Sequence, residues 1–328
     1  MKKTLLLLMT LIAFIGIFLT YKISKFKVLP LNNVQSLYHV KQGIGFNQLC
    51  RSWQDKQLLE SCLPYKLYAK LFPEKVILKA GVYDLRGLTV LSAINKINEG
   101  QQQQFFFTII EGEQLRGVLA KLKSSRFIEY DVELEKLTEL LALEVSAEGY
   151  LLPETYAYTA GTSAVSIIQR AKSKMDEVLN IEWNNRANNL PINTPYQALI
   201  LASIIEKETG YAPERGLISS VFINRLHAKM RLQTDPTVIY GLGEQFDGDI
   251  KRQDLRQLTP YNTYRIDGLP PTPIAMPSQD AIRAALHPEA SDYFYFVAKG
   301  NGQHQFSKDL AAHNRAVQKY ILKRRNDS

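Results

Sequence analysis

The feature that most constrains this chain is an apolar run near its start. After Met1–Lys3, the stretch Thr4–Tyr21 has no charged residue, and lysines resume at Lys22. About eighteen such residues approach the length that a helix needs to cross a bilayer. A secretory signal peptide starts in the same way, but its apolar core is usually shorter and ends at small residues. Large residues occupy that place at 18–21, so we expect an uncleaved single-pass anchor within residues 1–27, with the rest of the chain outside the cytoplasm.

Length and charge narrow the classes of protein. The chain has 328 residues, of which 45% are hydrophobic and 22% are charged, and this is ordinary composition for two globular domains. A net charge of +8 suits an anionic polymer or a bilayer as partner. Nucleic-acid binding would explain this charge but not the apolar run, so no nucleic acid is expected. The sequence has no P-loop and no dinucleotide fingerprint, so no cofactor is expected either.

Two cysteines and five histidines carry little evidence of metal chemistry. Cys50 and Cys62 form no C-x-x-C motif, and two interpretations stay open for them: a disulfide in an oxidising compartment, or two small buried apolar residues. His287, His304 and His313 do not have a zinc-ligand spacing such as H-E-x-x-H. Surface or structural roles are favoured for these histidines, and no metal is expected.

Residue patterns predict an α+β fold in three parts. An N-terminal transmembrane helix occupies residues 1–27, a small module with alternating strand and helix patterns occupies 31–109, and a mainly helical domain with long loops occupies 110–328. In the module, the helical pattern TVLSAINKINE is closed by Gly100. From Tyr196 onward, helices alternate with loops rich in Pro, Gly, Asn and Tyr, where functional sites usually lie.

The helix predicted at about Pro195–Glu208 ends in the motif E-K-E. At about 100° per residue, one face collects Leu201, Ile204, Ile205 and Glu208, whereas Glu206 follows smaller and more polar residues. An apolar setting raises the pKa of a carboxyl group and lets it donate a proton near neutral pH. Glu208 is therefore the better candidate acid. The alternative is that the helix ends there and both glutamates are solvated.

Three segments rich in polar and aromatic residues predict a groove. EGYLLPETY at 148–156, RLQTDPTVIYGLG at 231–243 and PYNTYRIDGLPPTPIAMPS at 260–278 combine carboxylates, amides and tyrosines, the groups that bind and stack on sugar rings. Taken singly, each segment is also consistent with an ordinary turn shaped by Asx and proline chemistry. Together they indicate a polar groove.

At these motifs the chain resembles a known family, the endolytic murein transglycosylases of the MltG (YceG-like) type. The resemblance rests on LASIIEKET, SVFINRL, LQTDPTVIYG, YNTY, IDGLPPTPIAMPS, ALHP, YFYFVAKGNGQHQFS and HNRAVQKY, with EGYLLPETY upstream. It implies a LysM-like module, a single inner-membrane anchor and a catalytic domain in the periplasm. It also implies cleavage of the MurNAc–GlcNAc bond in nascent peptidoglycan to give 1,6-anhydro-MurNAc ends, which stops strand elongation. Peptidoglycan synthases are the implied protein partners.

The family's catalytic glutamate falls on the second Glu of E-K-E, which is Glu208, the residue that periodicity also selects. Glu148 is the candidate helper, with a turn or cap role as the alternative. Thr209 is a candidate to hydrogen-bond near the acid, or is simply solvated. The residues predicted to bind the substrate are Thr209, Tyr150, Asn224, Arg225, Gln233, Asp235, Tyr240, Tyr261, Asn262 and Tyr264. For Arg225, a structural ion pair with Asp235 is the competing interpretation.

Two other functions remain as alternatives. One is a membrane-anchored scaffold that binds peptidoglycan without cutting it, for which the change Glu208→Gln would have no effect. The other is a muramidase that uses water, with Glu148 as the base. The ends of cleaved glycan strands distinguish the three functions: anhydro ends indicate a transglycosylase, reducing ends a hydrolase, and uncut strands a scaffold.

Overall fold

The computed structural model describes residues 27–322 and, before them, only residues 9, 10, 13, 14, 17, 21 and 25. Most of the predicted Thr4–Tyr21 helix therefore lies outside the described residues. Among those that are described, no helix is long and apolar enough to cross a membrane. The transmembrane part of the predicted fold is corrected accordingly, because no such helix is present in the part of the chain that the structure describes. The described residues form an α+β structure.

The chain divides into two compact units. Unit 1 consists of Met1–Phe105 and Ala157–Thr162, and unit 2 consists of Phe106–Tyr156 and Ser163–Ser328. The boundaries predicted from the sequence for the module and for the catalytic domain stay predictions. Each unit has its own buried apolar cluster.

Unit 1 is a small sheet with helices. Its elements are β1 (Tyr38–Val40), α1 (Phe46–Asp55), α2 (Leu63–Leu71), a 3₁₀ turn (Pro73–Val76), β2 (Gly81–Tyr83) and α3 (Val90–Glu99). β1 and β2 are antiparallel, with Tyr38 opposite Tyr83. Gly100 ends α3 in the left-handed region at φ 76°, as predicted, because glycine adopts this conformation without a steric penalty. A disulfide joins Cys50 to Cys62 and so decides between the two interpretations of the cysteines.

Unit 2 contains most of the helices. They are α4 (Leu115–Ser124), α5 (Leu134–Leu140), α6 (Ala164–Asn184), α7 (Pro195–Glu208), α8 (Arg215–His227), α9 (Asp235–Leu242), α10 (Gln279–Leu286) and α11 (Leu310–Val317). Single turns of 3₁₀ helix cover Ala212–Glu214 and Gly243–Gln245, and a π-helical turn covers Gln318–Leu322. Apart from β1 and β2, the strands of the described chain, not all of them wholly within unit 2, are β3 (Phe105–Thr108), β4 (Ile128–Glu129), β5 (Thr155–Tyr158), β6 (Thr162–Ser163), β7 (Tyr295–Ala298) and β8 (His304–Ser307). They pair as β3 with β5, β4 with β6, and β7 with β8.

Helix α7 runs through the core of unit 2. It begins at Pro195, preceded by Thr194, whose hydroxyl accepts a hydrogen bond of 3.2 Å from the Gln197 amide. The predicted bounds of this helix are confirmed. However, every residue from Ala198 to Ile205 is buried, so the helix has no polar face along this stretch. The predicted contrast between an apolar and a more polar face therefore does not separate the two glutamates.

Strands β7 and β8 form a hairpin that the sequence did not predict. The strands are antiparallel, with Phe296 opposite Phe306. Between them, Gly300 and Gly302 both have positive φ, near 84° and 82°, which glycine adopts readily. The ring of Phe222 on α8 meets Phe296 edge-on at 5.8 Å between centroids. The hairpin is thus packed on α8, beside the end of α7.

Candidate active site

Glu208 is the last residue of α7, and its side chain faces a cleft of about 480 Å³. We call this the Glu208 cleft. Five of the predicted site residues line it: Glu208, Arg225, Gln233, Asp235 and Tyr264. Much of the remaining lining comes from β7 and α11 and includes Tyr295, Phe296, Leu310, His313 and Asn314. The cleft therefore brings together residues from distant parts of unit 2 around one carboxyl group.

The pKa of Glu208 is raised to about 7, mainly because its surroundings remove water from the carboxyl group. The hydroxyl of Thr234 donates a hydrogen bond to this carboxylate and lowers the pKa. The negative charge of Asp235 raises it, and the positive charge of Arg225 lowers it. Near neutral pH, the group is consequently present both with and without its proton, which is the condition for a general acid that later acts as a base.

Glu206, the other glutamate of the E-K-E motif, has a different environment. Its carboxylate accepts hydrogen bonds from the amide of Ser278, at 2.9 Å, and from the hydroxyl of the same residue. Its other oxygen lies 3.3 Å from the buried guanidinium of Arg215. Both oxygens of Glu206 are thus bonded within the protein, and it holds α7 against the start of α8 and α10. Glu208 is the glutamate that faces open space.

Arg225 lines the cleft, and two of its three side-chain nitrogens donate to the main chain. Nε donates to the carbonyl of Phe294 at 2.6 Å, and Nη1 donates to the carbonyls of Leu232 at 2.8 Å and Arg231 at 3.3 Å. The guanidinium also lies 5.1 Å from the centre of the Tyr295 ring. These bonds fix the positive charge in the wall of the cleft. Burial lowers the pKa of Arg225.

Asp235, Tyr264 and Gln233 lie together on one side of the cleft. The Tyr264 hydroxyl donates to Asp235 Oδ1 at 2.6 Å, in place of the ion pair with Arg225 that the sequence left open. Burial and this carboxylate both raise the pKa of Tyr264, so the phenol stays protonated. Gln233 has a positive φ of 51°, which is uncommon for a residue with a side chain and often marks functional loops.

Glu148 belongs to a second cluster, which does not line the Glu208 cleft. Its carboxylate accepts hydrogen bonds from the amide of Leu115 at 2.9 Å and from the hydroxyl of Tyr240 at 3.2 Å. The Tyr240 ring lies 4.9 Å from that of Tyr261, whose hydroxyl bonds to Thr272 at 2.9 Å. Burial raises the pKa of Glu148 to about 7. Helix α9 connects the two clusters, since Asp235 begins it and Tyr240 lies five residues further on.

The remaining predicted residues have structural contacts. Asn224 donates to the carbonyls of Ser291 and Tyr293, both at 2.9 Å. Asn262 is buried and donates to the carbonyls of two loop residues, Asp254 and Gln257. Thr209 accepts from the Tyr211 amide at 2.9 Å, and Tyr150 stacks on Tyr196 at 6.0 Å. These four side chains are not part of the lining of the Glu208 cleft.

Several residues of the site are absent from the predicted set, among them Thr234, Tyr295 and His313. The sequence names Thr234 only as part of the motif LQTDPT. A Thr before Asp-Pro is a common helix start, and Thr234 directly precedes α9. Tyr295 lies on β7, in the alternating pattern YFYFVA that is typical of a strand. His313 stacks on Tyr295 with centroids 5.2 Å apart, and burial lowers the pKa of its imidazole. No sequence signal connects His313 to Glu208.

The arrangement allows one kind of chemistry most directly. A single carboxyl group with a pKa near 7 faces an open cleft, next to a fixed positive charge and a second carboxylate. Such a group can give a proton to a leaving oxygen and then take one from an attacking hydroxyl. The second carboxylate and the aromatic wall can hold a polar ring substrate such as a sugar.

Comparison with known proteins agrees with this description. The model of the YceG-like family matches residues 38–319. The chain is 32% identical to the endolytic murein transglycosylase of Bacillus subtilis over 305 residues, which cover 86% of this chain and 84% of the relative. It is 28% identical to the protein of that name from Streptococcus pneumoniae, over 88% of this chain and 58% of the longer relative.

A solved structure is also similar. The crystal structure of a YceG-like protein from Listeria monocytogenes matches with a TM-score of 0.52 and 30% identity. The match covers 86% of this chain and 98% of the Listeria chain. The similarity in sequence and in structure therefore extends over both units.

Proposed function

Because the chain belongs to the YceG-like family, we propose that it is an endolytic peptidoglycan lytic transglycosylase, a lyase of the bacterial cell wall. The relatives named endolytic murein transglycosylase support this proposal. The observation that carries it is the carboxyl group of Glu208, which faces the cleft with a pKa near 7. The substrate is the MurNAc–GlcNAc bond within a glycan strand.

The reaction needs only one titrating side chain. Protonated Glu208 gives its proton to the glycosidic oxygen as the bond from that oxygen to C1 of the muramyl sugar breaks. The C6 hydroxyl of the same sugar then attacks C1, and the carboxylate of Glu208 takes the hydroxyl proton. The product has a 1,6-anhydro end, and Glu208 regains its starting state. Because the attacking hydroxyl is already part of the substrate, no bound water has to be positioned.

The placement of Glu148 favours this reaction over hydrolysis. A muramidase of the predicted kind requires Glu148 to activate water on the far side of the sugar. Both oxygens of Glu148 are bonded within the protein, and the side chain is not part of the cleft wall. A helper role for Glu148 stays a prediction, and it would act through Tyr240 and α9 rather than on the sugar.

We place the catalytic domain outside the cytoplasm, in the compartment expected from the sequence to be the periplasm. The disulfide between Cys50 and Cys62 supports this location, because such bonds persist in oxidising compartments. The synthase partners and the LysM-like character of residues 31–109, which the resemblance implies, stay predictions.

The test is analysis of cleaved glycan strands by mass spectrometry. The full chain should release products with anhydro ends, and Glu208→Gln should reduce the rate by about 10²–10⁴-fold, the usual contribution of a general acid. Glu177→Gln is the matched control, since Glu177 is an exposed glutamate of α6. Reducing ends would replace this proposal with a hydrolase. Uncut strands, or full activity in Glu208→Gln, would overturn it.

A further inference from the structure

Helix α2 of unit 1 exposes an apolar face. Leu63, Leu67 and Leu71 are 76%, 60% and 64% exposed. Their spacing of four residues places them on one face of the helix. Tyr65 lies on the opposite face and is buried in the core of unit 1. The helix is therefore already packed on its inner side, and the leucines form a separate outer face.

The apolar surface continues beyond the end of the helix. Phe72 follows Leu71 directly and is 40% exposed, and its ring lies 5.2 Å from that of Tyr68. Ile77, after the 3₁₀ turn, is also exposed. Single exposed leucines are common in proteins, but several large apolar residues on one short segment usually mark a binding surface.

Lysines accompany these leucines. Lys66 and Lys70 lie on α2 beside the leucine row, and Lys75 lies over the Phe72 ring at 5.0 Å. Within the part of the chain that the structure describes, none of the three has a carboxylate within 4.0 Å. The stretch 60–79 contains four lysines and two glutamates, Glu60 and Glu74, and so carries net positive charge.

The disulfide holds this face in place. Cys62 directly precedes α2 and is bonded to Cys50 on α1. Cys50 and Cys62 are both buried in the core of unit 1. The start of α2 is thus attached covalently to the packed interior, so the helix cannot turn its leucines inward without breaking that core.

We propose that α2 binds the surface of a bilayer with anionic headgroups. Leu63, Leu67 and Leu71 enter the acyl-chain boundary, and the lysines bind lipid phosphates, which is the arrangement of interfacial amphipathic helices. Aliphatic side chains and ammonium groups suit this partner better than a glycan strand. A glycan's hydroxyl groups require hydrogen-bond acceptors as well as donors, and the leucine face offers neither.

The experiment places a fluorescent reporter on the face in the full chain. Leu67→Trp is mixed with vesicles whose acyl chains are brominated, made with or without phosphatidylglycerol. Leu134→Trp is the matched control, because Leu134 is an exposed leucine at the start of α5, between Glu133 and Glu135. Emission of the unsubstituted chain, which contains Trp53 and Trp183, is subtracted.

We expect a blue shift and bromine quenching for Leu67→Trp with anionic vesicles, and neither change for Leu134→Trp. Adding K66E, K70E and K75E should raise the lipid concentration for half-maximal quenching about tenfold or more, since each lysine contributes to attraction by an anionic surface. Absence of quenching at position 67 would overturn the proposal. Equal quenching with neutral vesicles would also overturn it. A blue shift that depends on protein concentration in the absence of lipid would overturn it too, because it would indicate that the face binds a second copy of the chain.

Discussion

Two neighbours of Glu208 act on its acidity in opposite directions. The Thr234 hydroxyl stabilises the charged carboxylate and lowers its pKa, whereas the negative charge of Asp235 raises it. With the pKa near 7, the fraction of Glu208 that holds a proton falls as the pH rises through neutrality. The cleavage rate should therefore decline on the alkaline side of about pH 7, provided that proton donation limits the rate.

Replacing Thr234 should move this decline to higher pH. Thr234→Val removes the hydrogen bond that favours the carboxylate, so the pKa of Glu208 rises and the carboxyl group keeps its proton up to a higher pH. The measurement is kcat/KM against pH on purified glycan strands. Thr209→Val is the control. Thr209 follows Glu208 in the sequence and is also buried, but its hydroxyl is hydrogen-bonded to Tyr211 and not to Glu208. An unchanged profile in Thr234→Val would contradict the assigned contact.

Replacing Asp235 should have the opposite effect. Asp235→Asn removes a negative charge, so the pKa of Glu208 falls and the decline in rate moves to lower pH. The same pH profile measures this, and the neutral amide can still accept the hydrogen bond from Tyr264. A move toward higher pH would show that Asp235 acts on the site in some way other than through its charge.

At the scale of structural elements, the backbone conformation of the turn at 148–149 requires a glycine at position 149. Gly149 has φ near 82°, and a Cβ atom there would lie 2.5 Å from Cβ of Pro273. Gly149→Ala should therefore destabilise unit 2 by about 2 kcal/mol or more, from backbone strain and from the clash. Urea unfolding measures this. Gly210→Ala is the control, since no atom lies within 4 Å of a Cβ at that position; an equal loss in both variants would contradict the argument.

The helices were predicted better than the strands, for physical reasons. The bounds of α7 and the end of α3 follow from local signals, a Thr-Pro start and a closing glycine, which act within a few residues. The hairpin of β7 and β8 was missed, although YFYFVA alternates and glycines follow it. Because helical patterns surround this segment, the sequence predicts helices and loops for the whole region. Whether a short segment forms a strand depends strongly on its tertiary contacts.

Within the site, the sequence could single out Glu208 as the candidate acid and name part of the lining of its cleft, but not the contacts that these side chains make. The periodicity argument selects Glu208 because it predicts only one apolar face for α7. In the structure, the two glutamates differ instead in their hydrogen-bond partners. Glu206 is bonded to Ser278 and Arg215, which lie far away in the sequence. Contacts of this kind arise from tertiary packing and leave no local pattern. For the same reason, His313 could not be connected to the cleft from the sequence.

For the molecule as a whole, Glu148 makes stability depend on pH. The folded protein holds this proton up to about pH 7, whereas an unfolded chain loses it near the ordinary value of 4.5. The folded state therefore binds more protons between these values, and the free energy of unfolding should fall as the pH rises through this window. The fall is on the order of 3 kcal/mol for Glu148, and Glu208 adds in the same direction.

Urea unfolding between pH 4.5 and 7.5 measures this slope. In Glu148→Gln the slope should be smaller, because the amide does not titrate. A Glu177→Gln control should keep the full slope, since that glutamate is exposed. If the stability of the unsubstituted chain instead rose across the window, Glu148 would have to be charged in the folded state.

The disulfide should stabilise unit 1 specifically. It links two cysteines that are 12 positions apart in the sequence, and removing such a link typically costs about 2–4 kcal/mol. After reduction, the amides of α1 and α2 should exchange hydrogen faster, as measured by mass spectrometry. The amides of α6 in unit 2 serve as the internal control. Similar acceleration in α6 would show that the effect is not confined to unit 1.

The wall of the Glu208 cleft has a consequence for how the protein is made. Glu208 leaves the ribosome well before β7 and α11, which supply Tyr295 and His313. We therefore expect a product interrupted between these points to carry Glu208 but to lack the lining that β7 and α11 supply, and so to bind a glycan strand poorly.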